Sequence, residues 1–417
     1  MKQIEYMHFR VMWLLRCSIA FVICLLLSSF TNLVYAESPL LTQKQRHVID
    51  TFTTYNGATL KQVQVGWESY GQLNADKSNV ILITHYFTGN SHAAGKYHPD
   101  NTNTGYWDSI IGPGKAIDTN QYFVISVDSL ANLSVYDPNV ITTGPATINP
   151  DTGMAYGLTF PVVTMRDFVN VQKSVLESLG IQQLHAVVGA SMGSMQAIEW
   201  ASAYPKWVNN IISIIGSVHS DAWTTTALEQ WAIPIKLDPL WQQGNYTKDS
   251  RPMAGLTASL MFITQIALHP EYINQVGAEL SHFALEDKPL NNILSDHAIT
   301  AWLHDRAASR AAMMDPNHLL YLVRACQLFL TGHGQSLTEG LMNIDANVLF
   351  IPANNDLLLM PYHARDAYTQ LRKLNAEKSS SHRIQYATLN GPLGHLNGIL
   401  GINQHAQTIS QFLARKD

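Results

Sequence analysis

Residues 189–193 read Gly-Ala-Ser-Met-Gly, where the apolar run "HAVVGA" gives way to the helix-forming stretch "MGSMQAIEWASAY". A serine between two glycines at a strand-to-helix junction fits G-x-S-x-G, a turn that lifts a nucleophilic hydroxyl above a sheet edge. Gly189 and Gly193 are expected there because side chains at either position would collide in so sharp a turn. A serine hydroxyl attacks only when a neighbouring base takes its proton. The base and its orienting acid are expected downstream, in the order Asp or Glu, then His. Asp356 follows the apolar run "NVLFIPANN", and His395 lies in "GPLGHLNG" after "RIQYATL". His395 would take the Ser191 proton and pass it to the leaving group, while Asp356 would fix the imidazole tautomer and stabilise its charged form. An oxyanion formed at the attacked carbonyl needs backbone N–H donors. Met192, directly after the nucleophile, and Phe87, in "THYFTGNSH" after an earlier apolar run, are the natural suppliers. His85 and His92 in the same loop offer a metal pair, but no carboxylate or cysteine stands at ligand spacing nearby. They are read as packing and loop hydrogen bonding, and neither metal nor other cofactor is expected.

Six short apolar runs must position these groups: residues 79–87, 122–127, 185–190, 209–216, 347–353 and 383–389. They are rich in Val, Ile and aromatics without strict alternation, which suits strands covered on both faces. Helical patterns separate them. In "TMRDFVNVQKSVLESLG" the apolar positions follow helical spacing, Thr164 to Asp167 resembles a capping box and Gly180 marks the end. Such alternation implies an α/β fold, with a mostly parallel central sheet wrapped by helices on both faces. Asp356 and His395 then sit on loops at carboxyl ends of strands, where the functional groups of open α/β sheets gather. Strand signals stop for about 130 residues after Ile215, too long for a structureless loop. "AGLTASLMFITQIAL" and "PNHLLYLVRACQLFL" read as helices of an inserted lid, with Trp223, Trp231, Trp241 and Trp302 taken as lid core. The expected division is residues 37–216 for the first part of the core, 217–340 for the lid and 341–417 for the second part. Ser194, His219, Ser220 and Asp221 are read as ordinary loop residues.

The chain opens with Lys2, Arg10 and Arg16, continues through the apolar "CSIAFVICLLLSSF" and reaches "VYAES", with small residues Val34 and Ala36. This is the layout of a secretory signal peptide, residues 1–36, cleaved after Ala36 for export to the periplasm or medium. The alternative is an uncleaved membrane anchor. Cys17 and Cys24 leave with the signal, so only Cys326 remains and no internal disulfide can form. A net charge of −5 and a charged fraction of 14% give no basic footprint, which argues against nucleic acid as a partner.

With these residues in place, the chain resembles the homoserine O-acetyltransferase family of α/β-hydrolases. The likeness runs through "WESYGQLNADKSNVILITHYFTGNSH", "WDSIIGPGKAIDTNQYFVIS", "TTGPATINPDTGMAYGLTFPVVTMRDFV", "VVGASMGSMQAIEWASAYP" and "NVLFIPANNDLL", in that order. It implies the α/β-hydrolase fold, a helical lid that often forms a homodimer interface, and the same roles for Ser191, Asp356 and His395. Two positions depart from the family. Where it carries an arginine on the first lid helix for the homoserine carboxylate, alignment of "TTALEQWAI" places Gln230. Where it carries an aspartate directly after the histidine for the substrate ammonium, this chain has Leu396. The expectation is an uncharged acceptor pocket that leaves both charges of homoserine without partners. An exported enzyme would also meet little coenzyme A thioester, whereas water is always present. The sequence therefore reads as a serine-nucleophile acyl-transfer enzyme of esterase type acting on a small-molecule acyl ester or acyl donor. The alternatives are an acyltransferase with an altered acceptor and, last, a non-catalytic binding protein.

Overall fold

The computed structural model of the protein describes residues 39–281, 289–334 and 336–415. Residues 1–36, read above as a signal peptide, lie outside them.

Strands β1 (Gln45–Thr53), β2 (Thr59–Tyr70) and β3 (Val80–Thr84) come first, followed by a separate two-residue pair, β4 (Ile111–Gly112) and β5 (Ile117–Asp118). Then come β6 (Phe123–Val127), β7 (Ala186–Ala190), β8 (Asn210–Ile214), β9 (Asn347–Ile351) and β10 (Ile384–Tyr386). Eight of these form one sheet in the order β1-β2-β6-β3-β7-β8-β9-β10. Every neighbouring pair from β6 to β10 is parallel, while β2 runs antiparallel to both β1 and β6. All six expected strands are present, each shorter than its apolar run. The residues lost include Tyr86 and Phe87, which turn off the end of β3 toward the site.

The absence of alternation in the inner strands has a direct cause. Val80 and Leu82 of β3 enter the core on one face of the sheet, and Ile81 and Ile83 enter the core on the other. Likewise Val187 of β7 faces one core, and Ala186, Val188 and Ala190 the other. Each strand is apolar on both faces because helices cover both, and each buried Val or Ile contributes about 1.5–3 kcal/mol. The hairpin of β1 and β2 was not expected from the sequence. Its β1 is largely exposed, so no continuous apolar run marks it, although Asn56-Gly57 between the two strands is a hairpin turn signal.

Helix α1 (Met165–Ser178) begins where the Thr164 amide donates to Asp167 Oδ2 at 2.7 Å. It ends before Gly180, whose φ of +68° suits a residue without Cβ. Helix α2 (Met192–Ala203) leaves the end of β7. Between β8 and β9 the described chain is helical: α3 (Ala222–Leu237), α4 (Met253–Ala267), α5 (Pro270–Glu279), α6 (Ala298–Ala311) and α7 (Pro316–Gln327). Asp221, read as a loop residue, caps α3 by accepting from the Thr224 amide at 2.8 Å. Helix α8 (Leu337–Met342) also precedes β9, and the remaining helices are α9 (Tyr362–Glu377), α10 (Asn397–Leu400) and α11 (Ala406–Ala414). Among the described residues no helix is long and apolar enough to cross a membrane.

Candidate active site

Ser191 stands between β7 and α2 with φ 56° and ψ −121°, a left-handed conformation that costs on the order of 1–3 kcal/mol for a residue with a side chain. The flanking glycines make it feasible. A Cβ on Gly189 would lie 2.2 Å from the Gly193 carbonyl oxygen and 2.2 Å from Thr84 Oγ1, and a Cβ on Gly193 would lie 2.0 Å from the Thr84 carbonyl oxygen. The turn is closed by the Ser191 amide donating to the Ile214 carbonyl at 3.0 Å and by Thr84 Oγ1 donating to the Gly193 carbonyl at 2.7 Å.

Two loops bring the partners. Asp356 lies just beyond β9, and its Oδ1 accepts from the amides of Leu358 at 2.8 Å and Leu359 at 3.0 Å. Its Oδ2 accepts from His395 Nδ1 at 2.6 Å. A proton on Nδ1 leaves His395 Nε2 as acceptor for the Ser191 hydroxyl, 2.8 Å away. All three residues are buried. The three expected residues are thus joined in one hydrogen-bonded chain, in which a proton leaving Ser191 Oγ can pass to Nε2 while a carboxylate faces the opposite ring nitrogen.

The amides of Met192 and Phe87 are buried, and neither makes a hydrogen bond among the described residues. A buried N–H without a partner is costly, so two of them beside Ser191 are suited to receive an oxygen that develops negative charge. The loop carrying Phe87 is held from below by a charged cluster that the sequence did not reveal. Lys44 Nζ lies 2.8 Å from Glu68 Oε1 and 3.3 Å from Asp128 Oδ2. Glu68 also accepts from His92 Nδ1 at 2.9 Å and from Tyr97 at 2.6 Å, and Asp128 accepts from the Ser91 amide at 2.7 Å. Burial pushes the Glu68 carboxyl up, but hydrogen bonds from His92, Lys44 and Tyr97 and the Lys44 charge outweigh it and hold the carboxyl at about 2. His92 therefore does meet a carboxylate. It comes from β2, 24 residues earlier, where local spacing gave no hint of it. His85 uses both ring nitrogens in the loop: Nδ1 donates to the Tyr86 carbonyl at 2.9 Å and Nε2 accepts from the Ser129 amide at 3.1 Å. Burial lowers its pKa, in keeping with a neutral ring.

Ser191 and His395 open into a cavity of about 120 Å3 beneath α4 and α6, floored by Phe87, Trp231 and Leu358. A water-sized site takes about 10–15 Å3 on this measure, so the chamber offers on the order of ten such positions. A second, apolar recess of about 20 Å3 adjoins Ser191 and Met192 and is lined by Met195, Leu228 and Cys326. Leu396 lies on the larger chamber. Gln230 does not; it is exposed on α3. The buried stripe of that helix runs through Ala227, Leu228, Trp231, Ala232 and Ile235, and position 230 falls on the opposite side. Trp231 therefore takes the inward place, with its ring 5.3 Å from that of Phe87, and is site wall as well as lid core. Trp223 is 51% exposed and belongs to no core. The chamber is also not uncharged: Arg306 and Arg310 of α6 line it. Their i, i+4 spacing was legible, but nothing in the sequence aims that helix face at Ser191.

A mostly parallel sheet with a strained serine at a strand–helix turn, followed in chain order by Asp and His on strand-end loops, defines a class. Residues 80–386 match the family described as alpha/beta hydrolase fold, and the chain belongs to that family, within its homoserine O-acetyltransferase branch. It is 37% identical over 361 residues to a homoserine O-acetyltransferase of Methanosphaerula palustris, covering 86% of this chain and 70% of that protein. Among solved structures it is similar to esterase E22, at 59% identity and a TM-score of 0.86, covering 89% of this chain and all of that one. It is also similar to homoserine O-acetyltransferase from Bacillus anthracis, at 36% identity and a TM-score of 0.85, covering 90% and 98% of the two chains.

Proposed function

We propose that the protein is a serine esterase for short acyl esters, working through an acyl-Ser191 intermediate. The observation that carries this reading is the continuous hydrogen-bonded chain Ser191–His395–Asp356, facing a chamber in which Leu396 stands directly after the histidine. His395 Nε2 takes the hydroxyl proton as Ser191 Oγ attacks the ester carbonyl. The imidazolium that forms keeps its Nδ1–H on Asp356. The carbonyl oxygen, now an oxyanion, receives the Phe87 and Met192 amides. Collapse expels the alcohol, protonated by His395, and leaves the acyl group on Ser191. Water, deprotonated by the same imidazole, then attacks the acyl-serine and regenerates the hydroxyl. The recess of about 20 Å3 admits little more than the methyl of an acetyl group, which supports a short acyl chain.

The alternative, transfer of the acyl group to an acceptor such as homoserine, is favoured by the homoserine O-acetyltransferases among the relatives. It is disfavoured by the apolar Leu396, which offers no partner for an ammonium. The 59% identity to a protein described as an esterase supports hydrolysis. Purified protein assayed in parallel on p-nitrophenyl esters of increasing length, and on homoserine with acetyl-coenzyme A, separates the two. Rapid acetyl-ester hydrolysis with negligible homoserine acetylation is the expected result, and efficient acetylation would reverse the assignment. We also propose export with cleavage after Ala36, read out by intact mass of periplasmic or secreted material. A homodimer through the lid is proposed from Trp223, Ile233 and Phe262, exposed apolar residues of α3 and α4, and is read out by light scattering.

A further inference from the structure

The larger chamber beside Ser191 contains two guanidinium groups and no carboxylate among its described lining residues. Arg306 and Arg310 lie one turn apart on α6, a spacing at which like charges repel. The Arg310 guanidinium is half-buried and donates from Nη1 to Thr264 Oγ1 at 3.2 Å. No carboxylate pairs with it among the described residues. Burial pulls its pKa down, and the charge of Arg306 adds to that pull. Arg306, at the rim, lies over the Trp302 ring at 5.0 Å and likewise has no acidic partner among the described residues. The Tyr86 phenol also lies on the chamber wall.

Among the described residues each feature costs stability: a cation half out of water whose partner is the neutral Thr264 hydroxyl, and a second cation one turn away. The cost is removed if an anion enters the chamber, because a carboxylate accepts two N–H groups from a guanidinium fork and neutralises the pair. Leu396 and the arginines together exclude a nearby ammonium, so a zwitterionic amino acid fits worse than a simple acid. We propose that Arg310, assisted by Arg306, is the carboxylate receptor of the site, and that the preferred substrate is a short acyl ester whose alcohol part carries a carboxylate and no ammonium.

This assignment rests on the esterase reading for the word substrate, but the anion site can be tested without turnover. The probes are 4-acetoxybutanoate and its neutral counterpart 4-acetoxybutanamide, titrated calorimetrically into Ser191→Ala, which cannot be acylated. The carboxylate should bind at least about tenfold more tightly than the amide, since charge-assisted hydrogen bonds are roughly twice as strong as neutral ones. In Ser191→Ala with Arg310→Met the ratio should fall to about one. Arg306 is exposed, so Arg306→Met folds regardless, and it should lower the ratio severalfold. Equal affinity for the two probes in Ser191→Ala, or a ratio unmoved by both arginine substitutions, overturns the proposal even if the wild type hydrolyses both esters. Tight carboxylate binding with no hydrolysis by the wild type would instead sink the esterase reading and leave the anion site standing.

Discussion

Replacing Asp356 with asparagine keeps the size of the side chain and reverses the chemistry it offers to His395. The replacement amide has one acceptor and one donor end, and the structure dictates which goes where. Two backbone amides, Leu358 at 2.8 Å and Leu359 at 3.0 Å, point at the Oδ1 position. Turning the NH2 toward them would set donor against donor and leave two buried N–H groups unsatisfied, at about 1–3 kcal/mol each. The amide oxygen must therefore stay there, and the NH2 must occupy the site 2.6 Å from His395 Nδ1. Facing a donor, Nδ1 becomes the acceptor and the ring proton moves to Nε2. Nε2–H then donates to Ser191 Oγ and cannot remove its proton. The loss expected from the wrong tautomer is on the order of 10⁴ in kcat, equivalent to about 5–6 kcal/mol of barrier. Because the backbone hydrogen bonds survive, the melting temperature should change little, whereas Asp356→Ala should lower it by stranding the two amides. The assay is hydrolysis of p-nitrophenyl acetate with thermal unfolding of each variant in parallel. An Asp356→Asn protein that folds normally and keeps activity within tenfold of the wild type refutes the tautomer argument and the role given to Asp356.

Further outcomes follow from single contacts. Gly193→Ala places a Cβ 2.0 Å from the Thr84 carbonyl oxygen, so it should lower the melting temperature sharply and abolish activity even though Ser191 is unchanged; wild-type behaviour in both would refute the close approach. Glu68 is held at about 2 when folded and has an ordinary value near 4.5, so its contribution is complete above pH 4.5 and fades as pH falls toward 2. That difference corresponds to about 3 kcal/mol, and urea unfolding of Glu68→Gln should show a shallower loss of stability across that window than the wild type. Leu396→Asp should raise homoserine acetylation from a negligible level by supplying an ammonium partner in the chamber, while Gln230→Arg alone should leave it flat because position 230 is exposed; the reverse ranking in a coupled acetyl-coenzyme A assay would contradict the placement of both residues.

The parts legible in advance were those governed by local pattern. Strands covered on both faces declare themselves as unbroken apolar runs, and the elbow declares itself because its steric demands force glycine at 189 and 193. Asp356 and His395 drew notice because each stands in a loop that follows an apolar run, Asp356 just beyond the buried β9 and His395 farther beyond the half-buried edge strand β10. The hairpin of β1 and β2 was missed because its outer strand is solvated and lacks that signal. The Lys44–Glu68–Asp128 cluster was out of reach for another reason: its members lie 24 and 60 residues apart in the chain and meet only when β2 packs beside β6. The acceptor wall depended on helix rotation. One residue is 100° of turn, so aligning a lost arginine with Gln230 pointed to the solvent side while Trp231 filled the wall. The charge of the chamber came from α6, whose arginines could be assigned to the site only once the helix was placed over Ser191.

The central claim is that Ser191 becomes acylated during turnover. Protein mixed with p-nitrophenyl acetate, quenched in acid within the first turnovers and digested, should yield one acetylated peptide, with the acetyl group on Ser191. His395→Ala should form the adduct far more slowly and Ser191→Ala not at all. An acetyl group found at another residue, or ester hydrolysis that persists at the wild-type rate in Ser191→Ala, would contradict the account.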